Sequence, residues 1–298
     1  MRSAHLLFLA LTIMVCATAA GQQSDLQLAL KVPHPVAVDG SPKTGYYVLT
    51  QDKVVYHYIQ SSSGLQFSSR FALEGIGYVI DLTFASIDLQ DSVIVSEWDN
   101  HSRLGFIRRY SLQGKIIQNW QISHIPSGIG FNPENGQIYF TTADSHEIYS
   151  VDIRGGIPHS ISEVRDVVQL GPIALDTKRQ IVYVAAGDGR LFFLDLNSRK
   201  ITQMGLEFEL PAALRFDDQH RLLYVADQVK KKIYAVDVST ESGRVIAESE
   251  QLTSPSGLAP GPENTLLITD EKSGSVYLGK VISSPVNMSK KSKSMKRR

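Results

Sequence analysis

The chain repeats one unit of turn, strand, polar turn, strand, turn and strand, and this repetition limits the folds open to it. The clearest copy is PSGIGFNPENGQIYFTTADSHEIYSVDI, at residues 126–153. Further copies occupy 34–58, 78–110, 171–195, 210–237 and 254–278. Four matched prolines, Pro126, Pro172, Pro211 and Pro255, are separated by 46, 39 and 44 residues. That period is typical of a four-stranded propeller blade, so the sequence predicts six blades.

The composition of each unit supports strands rather than helices. IYFTT, IVYVAA, LLYVAD and LLITD are β-branched and aromatic runs bounded by Gly, Asp, Asn and Pro. A fourth, less regular strand follows every unit except the last, whereas LQLALKV (26–32) precedes the first unit with no unit of its own. We therefore predict an all-β, six-bladed propeller of four antiparallel strands per blade at residues 26–282. Its N-terminal strand closes the ring and removes exposed sheet edges.

The pattern of Pro-x-Gly, a strand, YVAD and a third strand ending near Asp resembles NHL-type repeats and the SMP-30-like six-bladed propellers. The resemblance covers residues 26–281. It implies the architecture, and it leaves the activity open because such propellers serve as enzymes, receptors and scaffolds.

In the SMP-30-like lactonases the resemblance implies a divalent metal held by a Glu, an Asn and an Asp. This sequence departs at those points: Ser127 stands in PSG, residues 211–213 read PAA, and Pro35 and Val36 replace a Glu-containing turn. A divergent metal-dependent hydrolase of lactonase or esterase type therefore remains the alternative function. It would use Ca²⁺ or Zn²⁺ held by ligands that have moved to His34, His124, His146 and nearby carboxylates.

Propeller geometry gathers polar residues at one face, around the channel. These are His34, Asp52, Glu97, Asp99, His101, His124, Ser127, Asp144, His146, Glu147, Asp188, Asp227, Asp270 and Glu271. Asp144, Asp227 and Asp270 recur from blade to blade, so we expect them to cap turns by accepting backbone N–H groups.

Residues that do not recur between blades are the better candidates for a binding face. The predicted face comprises Glu97, Trp98, Asp99, His101, His146 and Glu147. Trp98 is the expected anchor because large aromatics often dominate interfaces, with packing between blades as its alternative role.

The N-terminus has the features of a signal peptide (1–20). Arg2 is followed by the apolar run LLFLALTIMV (6–15) and by small residues that predict cleavage near Ala19–Ala20. Cys16 is the only cysteine, so the mature chain would hold no disulfide and no thiolate. We expect a secreted protein, extracellular or periplasmic, without a transmembrane helix after cleavage.

The C-terminal segment 283–298 is basic and polar, and we expect it to be disordered. Between Gly21 and Ser289 the chain has 23 basic and 30 acidic residues, a net charge of −7, so an acidic body ends in a basic tail. The tail would either solubilise the chain or bind an anionic surface. Its lack of aromatic residues argues against sequence-specific nucleic-acid binding. Asn100 and Asn287 begin candidate N-glycosylation triplets.

Catalytic signatures such as Gly-x-Ser-x-Gly, His-Glu-x-x-His and phosphate-binding glycine loops are missing from the sequence. The sequence therefore favours a secreted, non-catalytic binding module for a protein or glycan partner on the channel face.

Overall fold

The computed structural model describes residues 26–75 and 77–281, which form six four-stranded antiparallel sheets. The first strand of each sheet contacts the first strand of the next, and the last sheet returns to the first. The predicted six-bladed β-propeller is confirmed.

The first three blades follow one another directly along the chain. Blade 1 contains β2 (Pro35–Ser41), β3 (Gly45–Thr50), β4 (Val54–Ser61) and β5 (Gly64–Ala72). Blade 2 contains β6 (Tyr78–Ile87), β7 (Gln90–Asp99), β8 (Leu104–Ser111) and β9 (Ile116–Ile122). Blade 3 contains β10 (Pro126–Asn132), β11 (Gln137–Thr142), β12 (Glu147–Asp152) and β13 (His159–Glu163).

The last three blades include the strand that closes the ring. Blade 4 contains β14 (Leu170–Asp176), β15 (Ile181–Ala186), β16 (Arg190–Asp195) and β17 (Ile201–Glu207). Blade 5 contains β18 (Pro211–Asp217), β19 (Leu222–Asp227), β20 (Lys232–Asp237) and β21 (Ser242–Glu248). Blade 6 contains β22 (Pro255–Pro260), β23 (Thr265–Asp270), β24 (Ser275–Lys280) and β1 (Leu26–Lys31).

Ring closure occurs as the sequence predicts. The N-terminal β1 is the outer strand of blade 6 and pairs antiparallel with β24, from Leu26 opposite Gly279 to Lys31 opposite Ser275. The two ends of the propeller are thereby held in one sheet, and β24 has no open edge.

The hydrophobic core is divided among the six interfaces between blades. Each buried cluster joins two neighbouring blades; one of them packs Ile107 of blade 2 with Phe140 of blade 3. Second strands such as β15 are buried almost throughout because a blade covers each of their faces. This explains their continuous β-branched and aromatic runs.

The inner strands carry small residues where blades converge on the axis. A Cβ at Gly128 would lie 2.6 Å from the backbone N of Ile173, and one at Gly257 would lie 2.9 Å from that of Val38. Larger side chains at these positions would push neighbouring blades apart.

The proline alignment in the sequence is wrong in blade 4. Pro126, Pro211 and Pro255 each pair with the last residue of the second strand, but in blade 4 that place belongs to Leu170, opposite Ala186. Pro172 lies two residues further along β14. Its resemblance to the other prolines reflects composition, not register.

The predicted signal segment (1–20) and the predicted basic tail (283–298) lie outside the described residues. Across 26–75 and 77–281, no helix is long and apolar enough to cross a membrane.

Candidate functional site

We define the upper face as the end of the propeller where β2, β6, β10, β14, β18 and β22 begin. The turns between the second and third strands of each blade lie at the same end. The opposite end is the lower face. The six residues of the predicted binding face lie at the upper end of the propeller. In blade 2 they occupy the end of β7 and the β7–β8 turn, and in blade 3 they occupy the β11–β12 turn and the start of β12.

Glu97 does not present its carboxylate to a partner, contrary to the sequence prediction. Its side chain is 0% exposed. Oε2 accepts a hydrogen bond from Arg108 Nη1 at 2.6 Å and lies 3.8 Å from Lys53 Nζ, and Oε1 accepts one from the Tyr110 hydroxyl. Tyr110 also donates to the backbone oxygen of Glu74 at 2.7 Å. Glu97 therefore joins blade 2 to blade 1, a role hidden in sequence because its partners lie on other strands.

We refer to Tyr78 and Trp98, cross-strand neighbours at the upper face, as the aromatic pair. The two residues are directly opposite each other in the β6–β7 register. Tyr78 is 65% exposed, whereas Trp98 is half-buried and donates from Nε1 to Asn100 Oδ1 at 2.6 Å. The sequence patterns did not indicate Tyr78, which is the first residue of its unit (78–110) and of β6. Asn100 is exposed, so a glycan on it would stand beside the aromatic pair.

The turn after Trp98 is fixed by Asp99. Its carboxylate accepts the backbone N–H of His101 at 3.0 Å and of Ser102 at 3.3 Å, and the Ser102 hydroxyl at 2.5 Å. These bonds, led by the one from the Ser102 hydroxyl, lower the pKa of Asp99. His101 is held on the exposed part of the same turn. The aromatic pair thus stands on a preorganised support.

The blade 3 candidates have local partners. His146 Nε2 lies 3.1 Å from the backbone oxygen of Val168. Glu147 accepts a hydrogen bond from the Tyr149 hydroxyl at 2.7 Å, which is the main cause of its lowered pKa. His124 Nδ1 lies 3.4 Å from Asp144 Oδ2. The blade 2 and blade 3 candidates therefore share a face but have separate hydrogen-bond networks.

The histidines proposed as metal ligands do not form a ligand set. His34 is exposed on blade 1, whereas His124 and His146 are on blade 3 with the partners just described. Among residues 26–75 and 77–281, no three His, Cys, Asp or Glu side chains are placed to hold one metal ion.

The recurrent aspartates cap turns, as predicted. Asp227 accepts the backbone N–H of Glu209 at 2.8 Å, and Asp270 accepts those of Thr253 at 2.6 Å and Ser254 at 2.8 Å. Asp144 accepts that of Ile125 at 2.9 Å. Each carboxylate fastens the end of its blade's second strand, or the turn after it, to the loop that leads into that blade.

A central channel, with a cavity of about 490 Å³, runs between the inner strands. Its wall is mostly small and apolar, with Asp39, Asp81 and Arg215 as charged members and Asp218 just beyond the end of β18. Asp39 accepts hydrogen bonds from Thr83 Oγ1 at 3.0 Å and Phe84 N at 2.8 Å, and from Arg215 Nη1 at 2.5 Å.

Asp81 occupies a different environment in the channel wall. Oδ1 accepts the N–H of Leu82 at 2.8 Å, and Oδ2 accepts that of Ile129, in the next blade, at 3.0 Å. Burial is the main cause that raises the pKa of Asp81 to about 7, and the charge of Asp39 adds to it. The sequence patterns did not indicate Asp39, Asp81 or Arg215 as site residues. Comparing the repeats strand by strand could have found Asp81, because the same strand position holds Ala37, Gly128, Pro172, Ala213 and Gly257 in the other blades.

Comparison with known proteins supports the fold and no narrower assignment. No family model and no curated protein matches the sequence, so the resemblance to NHL and SMP-30-like proteins is not confirmed. Among solved structures, a chain of a nidogen–laminin complex matches with a TM-score of 0.63 and 18% identity. The match covers 76% of this chain and 85% of that one. At this identity the likeness shows the propeller fold alone.

Proposed function

We propose that this chain is a secreted, non-catalytic binding module that docks a protein on its upper face, at the aromatic pair Tyr78–Trp98. The observation that carries the proposal is a tyrosine 65% exposed beside a half-buried tryptophan on a hydrogen-bonded turn. Tyr and Trp supply large contact areas and lose little conformational entropy on binding.

The surroundings of the pair favour a protein over a glycan as the partner. Val168, before β14, and Val229, between β19 and β20, are also exposed on the upper face. Apolar side chains on blades 2, 4 and 5 suit a contact that extends across the face, as protein interfaces do. A single sugar stacked on Trp98 would leave these residues in water.

Secretion rests on the signal-like segment 1–20. The solved nidogen–laminin structure is itself a complex of two proteins, and its chain with the same fold gives the proposal a structural precedent. The divergent hydrolase gains no support from the geometry, because the expected histidine ligands are apart.

Site-specific crosslinking tests the docking surface. The chain from residue 21 would carry a photoreactive phenylalanine in place of Tyr78, and a matched variant would carry it at Ile157, which is exposed on the lower face. Incubation with extracellular or periplasmic protein from the source organism should give discrete crosslinked species only for the Tyr78 probe. Equal labelling from both positions would overturn the proposal, and recovery of glycans without protein would replace the partner class.

Trp98→Ala tests the anchor once a crosslinked partner has been purified. Because Trp98 is half-buried and its indole N–H bonds only within its own turn, we expect at least tenfold weaker binding with little change in Tm. A large fall in Tm with unchanged affinity would show instead that Trp98 packs the turn.

A further inference from the structure

We propose that the central channel is a second site, which binds a small organic cation with its ammonium group against the carboxylate of Asp81. The site lies within the ring and differs from the protein-docking surface on the upper face. A cavity of about 490 Å³ is within the usual size range for small-molecule sites.

Asp81 has acceptor capacity to spare. Its two oxygens receive one backbone N–H each, from Leu82 and Ile129, whereas an ionised carboxylate offers about four acceptor positions. Within residues 26–75 and 77–281, no salt bridge joins Asp81 to a basic side chain. Arg215, the basic side chain of the channel wall, is paired with Asp39. A ligand ammonium would supply the missing counter-charge.

The channel leaves room for the ligand beside Asp81. On three of the other inner strands, the channel wall near this level holds the small residues Ser127, Ala212 and Ser256. The carbon skeleton of the cation would contact the apolar wall, to which Leu82, Ile129 and Ile173 contribute. The wall is mostly apolar, and its other carboxylates, Asp39 and Asp218, are paired with Arg215 and Lys178. Such a cavity selects an amphiphilic cation at Asp81 over a hydrated metal ion, which requires several oxygen ligands.

The remaining charges of the channel do not cancel that of Asp81. Asp39 on β2 and Arg215 on β18 neutralise each other, and Asp218 follows β18 at the lower end. The parts of β10, β14 and β22 that line the channel contribute no charged side chain. Burial raises the pKa of Asp81 to about 7, so near neutral pH part of the chains carry a protonated Asp81. A bound cation favours the ionised carboxylate, and binding therefore releases a proton from Asp81.

Calorimetric titration of the chain from residue 21 tests the site with three probes of one shape. These are phenethylammonium, the neutral 2-phenylethanol and the anionic 3-phenylpropanoate. We expect saturable binding of one phenethylammonium per chain, at least tenfold tighter than that of either other probe. The proposal is overturned if the alcohol or the carboxylate binds as well. It is also overturned if phenethylammonium, hexylammonium and cyclohexylmethylammonium all fail to bind.

Asp81→Asn removes the negative charge and keeps nearly the same side-chain shape, and its amide oxygen can still accept a backbone N–H. It therefore tests whether the charge of Asp81 is needed for binding. We expect at least a tenfold loss of phenethylammonium affinity at pH 8. Asp91→Asn, an exposed change in the same blade, should leave the affinity unchanged.

The pH dependence of the unmodified chain decides the question even if Asp81→Asn does not fold. With a pKa of about 7, the ionised fraction of Asp81 falls roughly 30-fold from pH 8.5 to pH 5.5, so phenethylammonium affinity should fall by about that factor. A flat profile would show that Asp81 does not hold the cation.

Discussion

Asp39 of blade 1 and Arg215 of blade 5 meet across the channel, with 2.5 Å between carboxylate Oδ1 and guanidinium Nη1. Blade 6 lies between them in the ring, and its corresponding strand residue, Ala259, is too small to obstruct the contact. The same carboxylate binds Thr83 and the amide of Phe84 in blade 2. One side chain therefore links the inner strands of three blades.

Arg215→Leu should destabilise the propeller, because it leaves the nearly buried charge of Asp39 without its cation. The side chains of Arg215 and Asp39 are 32% and 10% exposed, so we expect a loss of about 1–3 kcal/mol in urea unfolding, below that for fully buried pairs. Lys115→Met, which breaks the exposed bridge to Glu74, is the matched control and should cost far less. Equal stability of the two variants would show that the hydrogen bonds from blade 2 suffice for Asp39.

Glu97→Ala should be among the most damaging single changes on the upper face. It removes the partner of Arg108, whose guanidinium is itself buried, and one partner of the Tyr110 hydroxyl. Loss of one member of a buried ion pair costs about 3–5 kcal/mol, which would appear as a lower midpoint in denaturant unfolding. Glu134→Ala, an exposed change on the lower face, is the control. A variant with normal stability that no longer crosslinks through position 78 would restore Glu97 as a contact residue.

The fold could be predicted because the repeat has the length of a four-stranded blade and its apolar runs have the composition of β-strands. The unpaired strand at 26–32 even indicated how the ring closes. The proline alignment was wrong in blade 4 because Pro172, like Pro126, Pro211 and Pro255, lies near the start of an inner strand. The sequence pattern alone does not distinguish Pro172 from Leu170, which occupies the equivalent position two residues earlier.

The sites were less predictable because their contacts join residues far apart in sequence. Glu97 and Arg108 lie on neighbouring strands, and the bond between them turns an apparent surface acid into a buried one. Asp39 and Arg215 are 176 residues apart. By contrast, the prediction that Asp227 and Asp270 cap turns was confirmed, because this role depends on a local turn that recurs from blade to blade.

The raised pKa of Asp81 predicts how stability varies with pH. The folded chain holds this proton up to about pH 7, whereas an unfolded Asp loses it near pH 3.9. The contribution of Asp81 is therefore greatest below pH 4 and is lost as the pH rises through 7. Relative to Asp81→Asn, the unmodified chain should lose stability over this window with a slope of up to about 1.4 kcal/mol per pH unit. Parallel stability curves from pH 4 to pH 8 would show that Asp81 titrates as an ordinary carboxyl.

The pairing of β1 with β24 predicts that the propeller depends on its first strand. A chain that starts at residue 33 lacks β1 and exposes the edge of β24, together with apolar surface that Leu26 and Leu30 cover. We expect a lower Tm and concentration-dependent aggregation, because an open edge strand pairs with other chains. A chain that starts at residue 26 keeps β1 and is the control. Adding a synthetic peptide of residues 26–32 to the shortened chain should raise its Tm, whereas a peptide with Leu30→Asp should not. A shortened chain that is monomeric and as stable as the control would show that five complete blades hold the ring without the closing strand.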